Sequence, residues 1–122
     1  MNIRRITDFF AVSPQIEYSD IAQLKDMGFT TLINTRPDGE ATNQPSSAAL
    51  AKAAKKAGII YHHIPVKPGR ASVDDKIRFK QIIEQADGPV LAFCRSGMRA
   101  QSLFRAATRG PGVIARLFGK RR

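Results

Sequence analysis

Gly88-Pro89-Val90-Leu91-Ala92-Phe93-Cys94-Arg95-Ser96-Gly97-Met98-Arg99 is the stretch on which the reading of this chain turns. Gly88-Pro89 breaks what precedes it. Val90 to Phe93 is an unbroken apolar run, as in a strand covered on both faces. A short polar loop follows, and Met98 or Arg99 opens a helix that runs to Thr108. The only cysteine of the protein therefore stands where strand becomes loop, and Arg99 stands in the first turn of the next helix. Backbone N–H groups at a helix N-terminus, its positive dipole end and a guanidinium all favour an anion, and the same surroundings favour a thiolate over a thiol. Gly97 permits the tight curl that such a loop requires. Ser96 is small and suited to capping the helix. Arg99 offers a planar fork of donors to an oxyanion. Arg95, Ser96, Gly97 and Met98 form the anion loop between Cys94 and Arg99.

Outward from this loop, strands alternate with helices. Phe9-Phe10-Ala11-Val12 reads as a strand ended by Ser13-Pro14. Ser19 is expected to cap a short helix over residues 20–27, with Gly28 in the left-handed closing position. Residues 29–34 and 59–64 are β-branched, apolar strands. Ser46 caps a helix running to Lys56, which Gly58 ends. Ser72-Val73-Asp74-Asp75 has the form of a capping box. The helix behind it is expected to place Val73, Ile77, Ile82, Ile83 and Ala86 on one side. The pattern predicts an α/β fold: a mostly parallel central sheet with helices on both faces and right-handed crossovers. Ligand sites in such sheets lie beyond the carboxyl ends of the strands. The loops 35–45, 65–72 and 94–98 should therefore gather on one edge.

The 122 residues suffice for one core, assigned to residues 1–109, with a basic tail over 110–122. Net charge is +10, but residues 101–122 carry six of the cations and no acid, which leaves +4 for the rest. That distribution argues against a nucleic-acid-binding domain. The tail is apolar and basic, and contact with a membrane surface or an acidic partner is an open alternative to a solvated terminus. No run has the length of a membrane span, and Met1 to Asp8 lacks the apolar core of a signal peptide, so a cytoplasmic location is expected. A single cysteine excludes an internal disulfide and dithiol redox chemistry. His62 and His63 are neighbours in a strand and face opposite ways, and no Cys/His cluster has metal-ligand spacing. The glycines match no nucleotide fingerprint. Neither metal nor cofactor is expected.

Four residues separate Cys94 from Arg99. Cysteine-dependent phosphatases place five residues there, whereas rhodanese-type sulfurtransferases typically place four. The shorter ring suits a terminal sulfur better than a phosphoryl group. Cysteine-dependent phosphate ester hydrolysis also benefits from a carboxylic acid on a neighbouring loop. Val66-Lys67-Pro68-Gly69-Arg70 contains none, Asp74 and Asp75 are committed to a helix start, and Asp38 and Glu40 remain as candidates.

Thr35-Arg36-Pro37-Asp38-Gly39-Glu40, Gln44-Pro45, Ile64-Pro65-Val66 and the Cys94 loop, in this order, resemble the phosphatase-like domain family of bacterial beta-lactamase hydrolase-like proteins. Val12 to Ile16 and Met27-Gly28-Phe29 are similar to the family's opening. The resemblance implies a dual-specificity-phosphatase-like fold and either phosphatase or sulfur-transferase activity. It also implies Cys94 as nucleophile, Arg99 as anion-binding arginine and Arg36, Asp38 and Glu40 as a neighbouring rim. Some members of the family are fused to a persulfide dioxygenase of metallo-β-lactamase fold, so a separate persulfide dioxygenase is an implied partner. Ala100 departs from the small hydroxyl residue that commonly follows the arginine. Sulfane-sulfur transfer through a Cys94 persulfide, with a small-molecule sulfur donor and acceptor, is the expected function. Hydrolysis of a phosphorylated substrate through phosphocysteine is the alternative. An anion- or partner-binding module of low activity is the third reading.

Overall fold

The computed structural model describes residues 1–109; the tail and the domain boundary expected at its start lie outside the described residues. Its elements are β1 (Arg4–Thr7), β2 (Phe10–Ser13), α1 (Asp20–Asp26), β3 (Thr31–Asn34), α2 (Ser47–Ala57), β4 (Ile60–His63), α3 (Val73–Gln85), β5 (Val90–Phe93) and α4 (Met98–Ala107). The expected strands and helices are present with ends moved by a residue or two. β1 is an addition. Its residues, Arg-Arg-Ile-Thr, are half exposed and carry no apolar alternation, so the pattern that marks a strand is missing.

The five strands lie in the order β1-β2-β5-β3-β4. β1 pairs antiparallel with β2, and the other three pairings are parallel. Each strand alternates its side chains between two faces, and both faces are covered. Phe10, Val12, Ile33, Val90 and Ala92 pack with Phe79, Ile82 and Ile83 of α3 and Leu103 and Phe104 of α4. Ala11, Leu32, Leu91 and Phe93 pack on the other side with Ile21 and Leu24 of α1 and Leu50 and Ala54 of α2. Phe10 stacks on Phe104 with ring centroids 4.0 Å apart.

Two details of the sequence reading need correction. Ser19 supplies no side-chain cap to α1. Instead the Asp20 carboxylate accepts from the Glu17 N–H at 2.7 Å, which turns the chain into the helix. On α3 the inward face carries Phe79, Ile82, Ile83 and Ala86, whereas Val73 and Ile77 are 70% and 50% exposed. Val73 and Ile77 fall on a different stripe of the helix, set toward its N-terminal end.

The parallel register brings four strand ends level. Ser13 pairs with Phe93, Phe93 with Asn34, and Asn34 with His63. The chain therefore leaves every parallel strand at the same edge of the sheet. The loops over 35–46, 64–72 and 94–97 meet there, as the pattern requires.

Candidate active site

β5 is the central strand, held on both sides, and Cys94 follows its last residue. The turn after it is built from backbone hydrogen bonds. The Thr35 N–H and Thr35 hydroxyl both donate to the Phe93 carbonyl at 2.9 Å, and the Gln15 N–H donates to the Arg95 carbonyl at 3.3 Å. Gly97 adopts φ +93°, and a Cβ there would stand 3.3 Å from the carbonyl carbon and oxygen of Ser13. Only glycine meets both conditions without strain. The result is that the Gly97 N–H turns inward and donates to Cys94 Sγ at 3.1 Å. Ser96 does not cap α4 as its type suggests: the N-cap is Gly97, which has no side chain to offer, and Ser96 Oγ, one residue earlier, accepts from the Met98 N–H at 3.3 Å. Cys94 is buried, Arg95 and Ser96 are exposed, and Met98 stands 68% exposed on the rim.

Arg99 is fastened from two sides. Its Nη1 donates to Glu40 Oε2 at 3.0 Å and to the Val66 carbonyl at 3.1 Å, and its Nη2 donates to Glu40 Oε1 at 3.3 Å. Nε is buried and has no hydrogen-bond partner. A buried donor without an acceptor is costly. Glu40 occupies the Nη1 and Nη2 end of the guanidinium, and Arg99 lines the same cavity as Cys94.

Arg36, placed on the rim by the sequence, lies beneath this arrangement. It is 4% exposed, and its Nε donates to Glu40 Oε1 at 2.9 Å while its Nη1 donates to Gln15 Oε1 at 3.0 Å. Glu40 thus bridges two guanidiniums. Partial burial pushes its pKa up, but the hydrogen bonds and charges of Arg36 and Arg99 outweigh this and hold it below the usual carboxylate value. The 35–46 loop that carries these residues is fixed by a polar network. Asn34 Oδ1 accepts from the Arg36 N–H at 2.9 Å, its amide donates to Tyr61 Oη at 2.9 Å, and Tyr61 Oη lies 2.8 Å from Ser47 Oγ. Burial, above all, raises the Tyr61 pKa and keeps the phenol neutral. His63 Nε2 lies 2.8 Å from the Arg36 carbonyl, which can only accept, so this nitrogen carries the hydrogen. Its neighbour His62 has its pKa lowered by burial and by the Arg78 charge.

The two candidate acids are therefore disposed differently from what their sequence position suggests. Asp38 accepts the Ser47 N–H at 2.8 Å and serves the N-terminus of α2. Glu40 reaches the site, but as an ionised partner of Arg99. This link joins residues far apart in the chain and has no local sequence signal.

Cys94 and Arg99 open into a cavity of about 460 Å3, walled also by Val66, Pro68, Lys76, Met98, Leu103 and Ala106. No carboxylate lines it among the described residues. No group of three or more His, Cys, Asp or Glu side chains suited to a metal occurs among the described residues. None of their helices is long and apolar enough to cross a membrane.

Three comparisons bear on this geometry. A protein from Neisseria meningitidis Z2491, described as a candidate phosphatase, superposes with a TM-score of 0.78 at 36% identity, covering 85% of this chain and 74% of that one. The kinase associated phosphatase superposes with a TM-score of 0.61 at 17% identity, covering 84% and 68%. The fold is accordingly that of the tyrosine and dual-specificity phosphatases. The beta-lactamase hydrolase-like protein of Agrobacterium fabrum C58 is 36% identical over 104 residues, which are 85% of this chain and 24% of that protein. The chain thus spans about a quarter of the length of the curated relatives it matches. Residues 2–110 match the family described as beta-lactamase hydrolase-like protein, phosphatase-like domain, and the chain belongs to that family.

Proposed function

We propose that this domain transfers sulfane sulfur through a persulfide on Cys94, with the Arg95-Ser96-Gly97-Met98 loop and Arg99 holding the anionic part of the donor. The thiolate attacks the outer sulfur of a thiosulfate-like or persulfide donor. The donor's sulfur–sulfur bond breaks, and its electron pair leaves with sulfite, a sulfinate or a thiolate. A second thiolate then takes the outer sulfur and regenerates Cys94. Gly97 N–H steadies the charge on Sγ, and the Arg99 guanidinium, which lines the same cavity, attracts the departing oxyanion.

The observation that carries this reading is the commitment of both rim carboxylates. An alkoxide leaving group needs a proton, which a nearby acid supplies. Asp38 is bound to the start of α2, and Glu40 is ionised between Arg36 and Arg99. Sulfite, sulfinate and thiolate depart as stable anions and need no such acid. The four-residue spacing from Cys94 to Arg99 supports the same cargo. Hydrolysis of a phosphomonoester through phosphocysteine is the second reading, favoured by the phosphatase description of the Neisseria relative.

Intact mass after incubation with thiosulfate, and separately with an aryl phosphate, tests the two. A gain of one sulfur that cyanide removes, absent in Cys94→Ser, is expected. Aryl phosphate turnover that depends on Cys94, without any sulfur adduct, replaces the first reading by the second. A persulfide dioxygenase as downstream partner belongs to the first reading, because it would consume the sulfur that this domain carries.

A further inference from the structure

The cavity at Cys94 is far larger than an inorganic donor requires. Its volume of about 460 Å3 falls within the range of sites that take organic ligands, ~300–1,000 Å3. Met98, Arg99, Ser102, Leu103 and Ala106 all line it, and they form one stripe of α4. At ~1.5 Å per residue, that stripe extends the cavity by about 12 Å along the helix. Away from the anion loop its walls are apolar, from Val66, Pro68 and Ala71 on one side and Leu103 and Ala106 on the other. The one charged side chain there besides Arg99 is Lys76 of α3, and Lys76 makes no ion pair with a described residue.

Resting on the sulfur-transfer reading, we infer that the donor is an organic sulfane compound whose apolar body lies along α4 and whose second anionic group, a carboxylate, pairs with Lys76. Its sulfane end occupies the Cys94 loop. Thiosulfate fills only that end and leaves the apolar length of the cavity to water. Burial of the organic body contributes affinity in proportion to the apolar area covered. Lys76 adds selection for a charged terminus over a neutral one. The transfer step balances without a proton. For an aryl thiosulfonate, the Cys94 thiolate bonds to the terminal sulfur, the bond between the two sulfurs of the donor breaks, and an aryl sulfinate leaves with the electron pair. Two anions enter and two anions leave.

Aryl thiosulfonates are stable, so they serve as probes. Rates of sulfur loading onto Cys94 are measured by rapid quench and intact mass with thiosulfate, benzenethiosulfonate and 4-carboxybenzenethiosulfonate. The expected order is carboxylated aryl, then aryl, then thiosulfate. Lys76→Gln is expected to lower the preference for the carboxylated over the plain aryl donor by about tenfold, the loss of one charge-assisted contact. Ser102→Leu, at an exposed position of α4, narrows the cavity and is expected to slow both aryl donors relative to thiosulfate. Thiosulfate loading as fast as either aryl donor overturns this inference and leaves sulfur transfer standing. An unchanged preference in Lys76→Gln overturns the assignment of the carboxylate to that residue. Absence of sulfur loading from all three donors overturns sulfur transfer itself.

Discussion

Glu40 shows how one side chain sets the condition of another. Its two oxygens take the inner edge of the Arg99 guanidinium and the Nε of Arg36. Arg36 is almost wholly enclosed, so removal of the charge opposite it leaves a buried cation poorly compensated. Glu40→Gln is expected to destabilise the domain by about 1.5–3 kcal/mol, the range for a hydrogen bond to a charged group. Thermal unfolding at neutral pH measures this. The pH dependence has a defined sign. A carboxylate whose folded pKa lies below its unfolded one contributes stability at pH values above the unfolded pKa, and that contribution fades as pH falls through the folded one. The difference in melting temperature between the native protein and Glu40→Gln should therefore shrink on acidification through and below the ordinary carboxylate range. A difference that stays constant from neutral pH to acid would mean that Glu40 acts by shape and not by charge. None of this was legible beforehand. The rim position of Glu40 was implied by the family resemblance alone, its partner Arg99 stands on α4, and the structure shows it as an ionised brace where the sequence offered a candidate acid.

At the level of elements, most of the architecture was open to reading because the punctuation is local. Ser46 accepts from the Ala49 N–H, Gly58 takes φ +81°, and Ser72 and Asp75 exchange hydrogen bonds at 3.0 and 2.9 Å. Such signals are local and need little from the rest of the fold, although Ser19, which supplies no cap to α1, shows that they can fail. The errors arise where context decides. β1 forms because an exposed edge of β2 is available, not because Arg4 to Thr7 favours a strand. Val73 and Ile77 are apolar yet outward, since Phe79 and Ile82 set the phase of α3 against the sheet. The capping box matters beyond α3, for that helix carries Lys76 to the cavity wall. Ser72→Ala is expected to cost about 1 kcal/mol, the usual value of a lost N-cap. Urea denaturation should show a lower midpoint with an unchanged slope.

For the molecule as a whole, the covered sheet anchors the Cys94 loop on a strand that is held from both sides. Phe10 lies at the centre of one layer, stacked on Phe104 and edge-on to Phe79 with centroids 5.8 Å apart. Truncation of a buried aromatic costs about 3–5 kcal/mol, against a total stability of ~5–15 kcal/mol for an ordinary domain. Phe10→Ala is expected to leave the protein partly unfolded near body temperature, as judged by circular dichroism. Position 97, by contrast, could be recognised as a glycine with a task from sequence alone, because a loop that folds back on its own cysteine needs a left-handed residue.

The order of the strands has a consequence for biosynthesis. β5 is the last of the described strands to be made, yet it sits in the middle, between β2 and β3, and neither of those pairs with the other. An emerging chain has no continuous sheet to complete until Val90 to Phe93 has cleared the ribosome. Pairings so remote in sequence are also slow to form. The nascent chain must wait with two apolar strands uncovered, a state prone to aggregation and suited to chaperone capture. The strand that ends the wait is the one that delivers Cys94, so the cysteine enters its loop in the same event that closes the sheet.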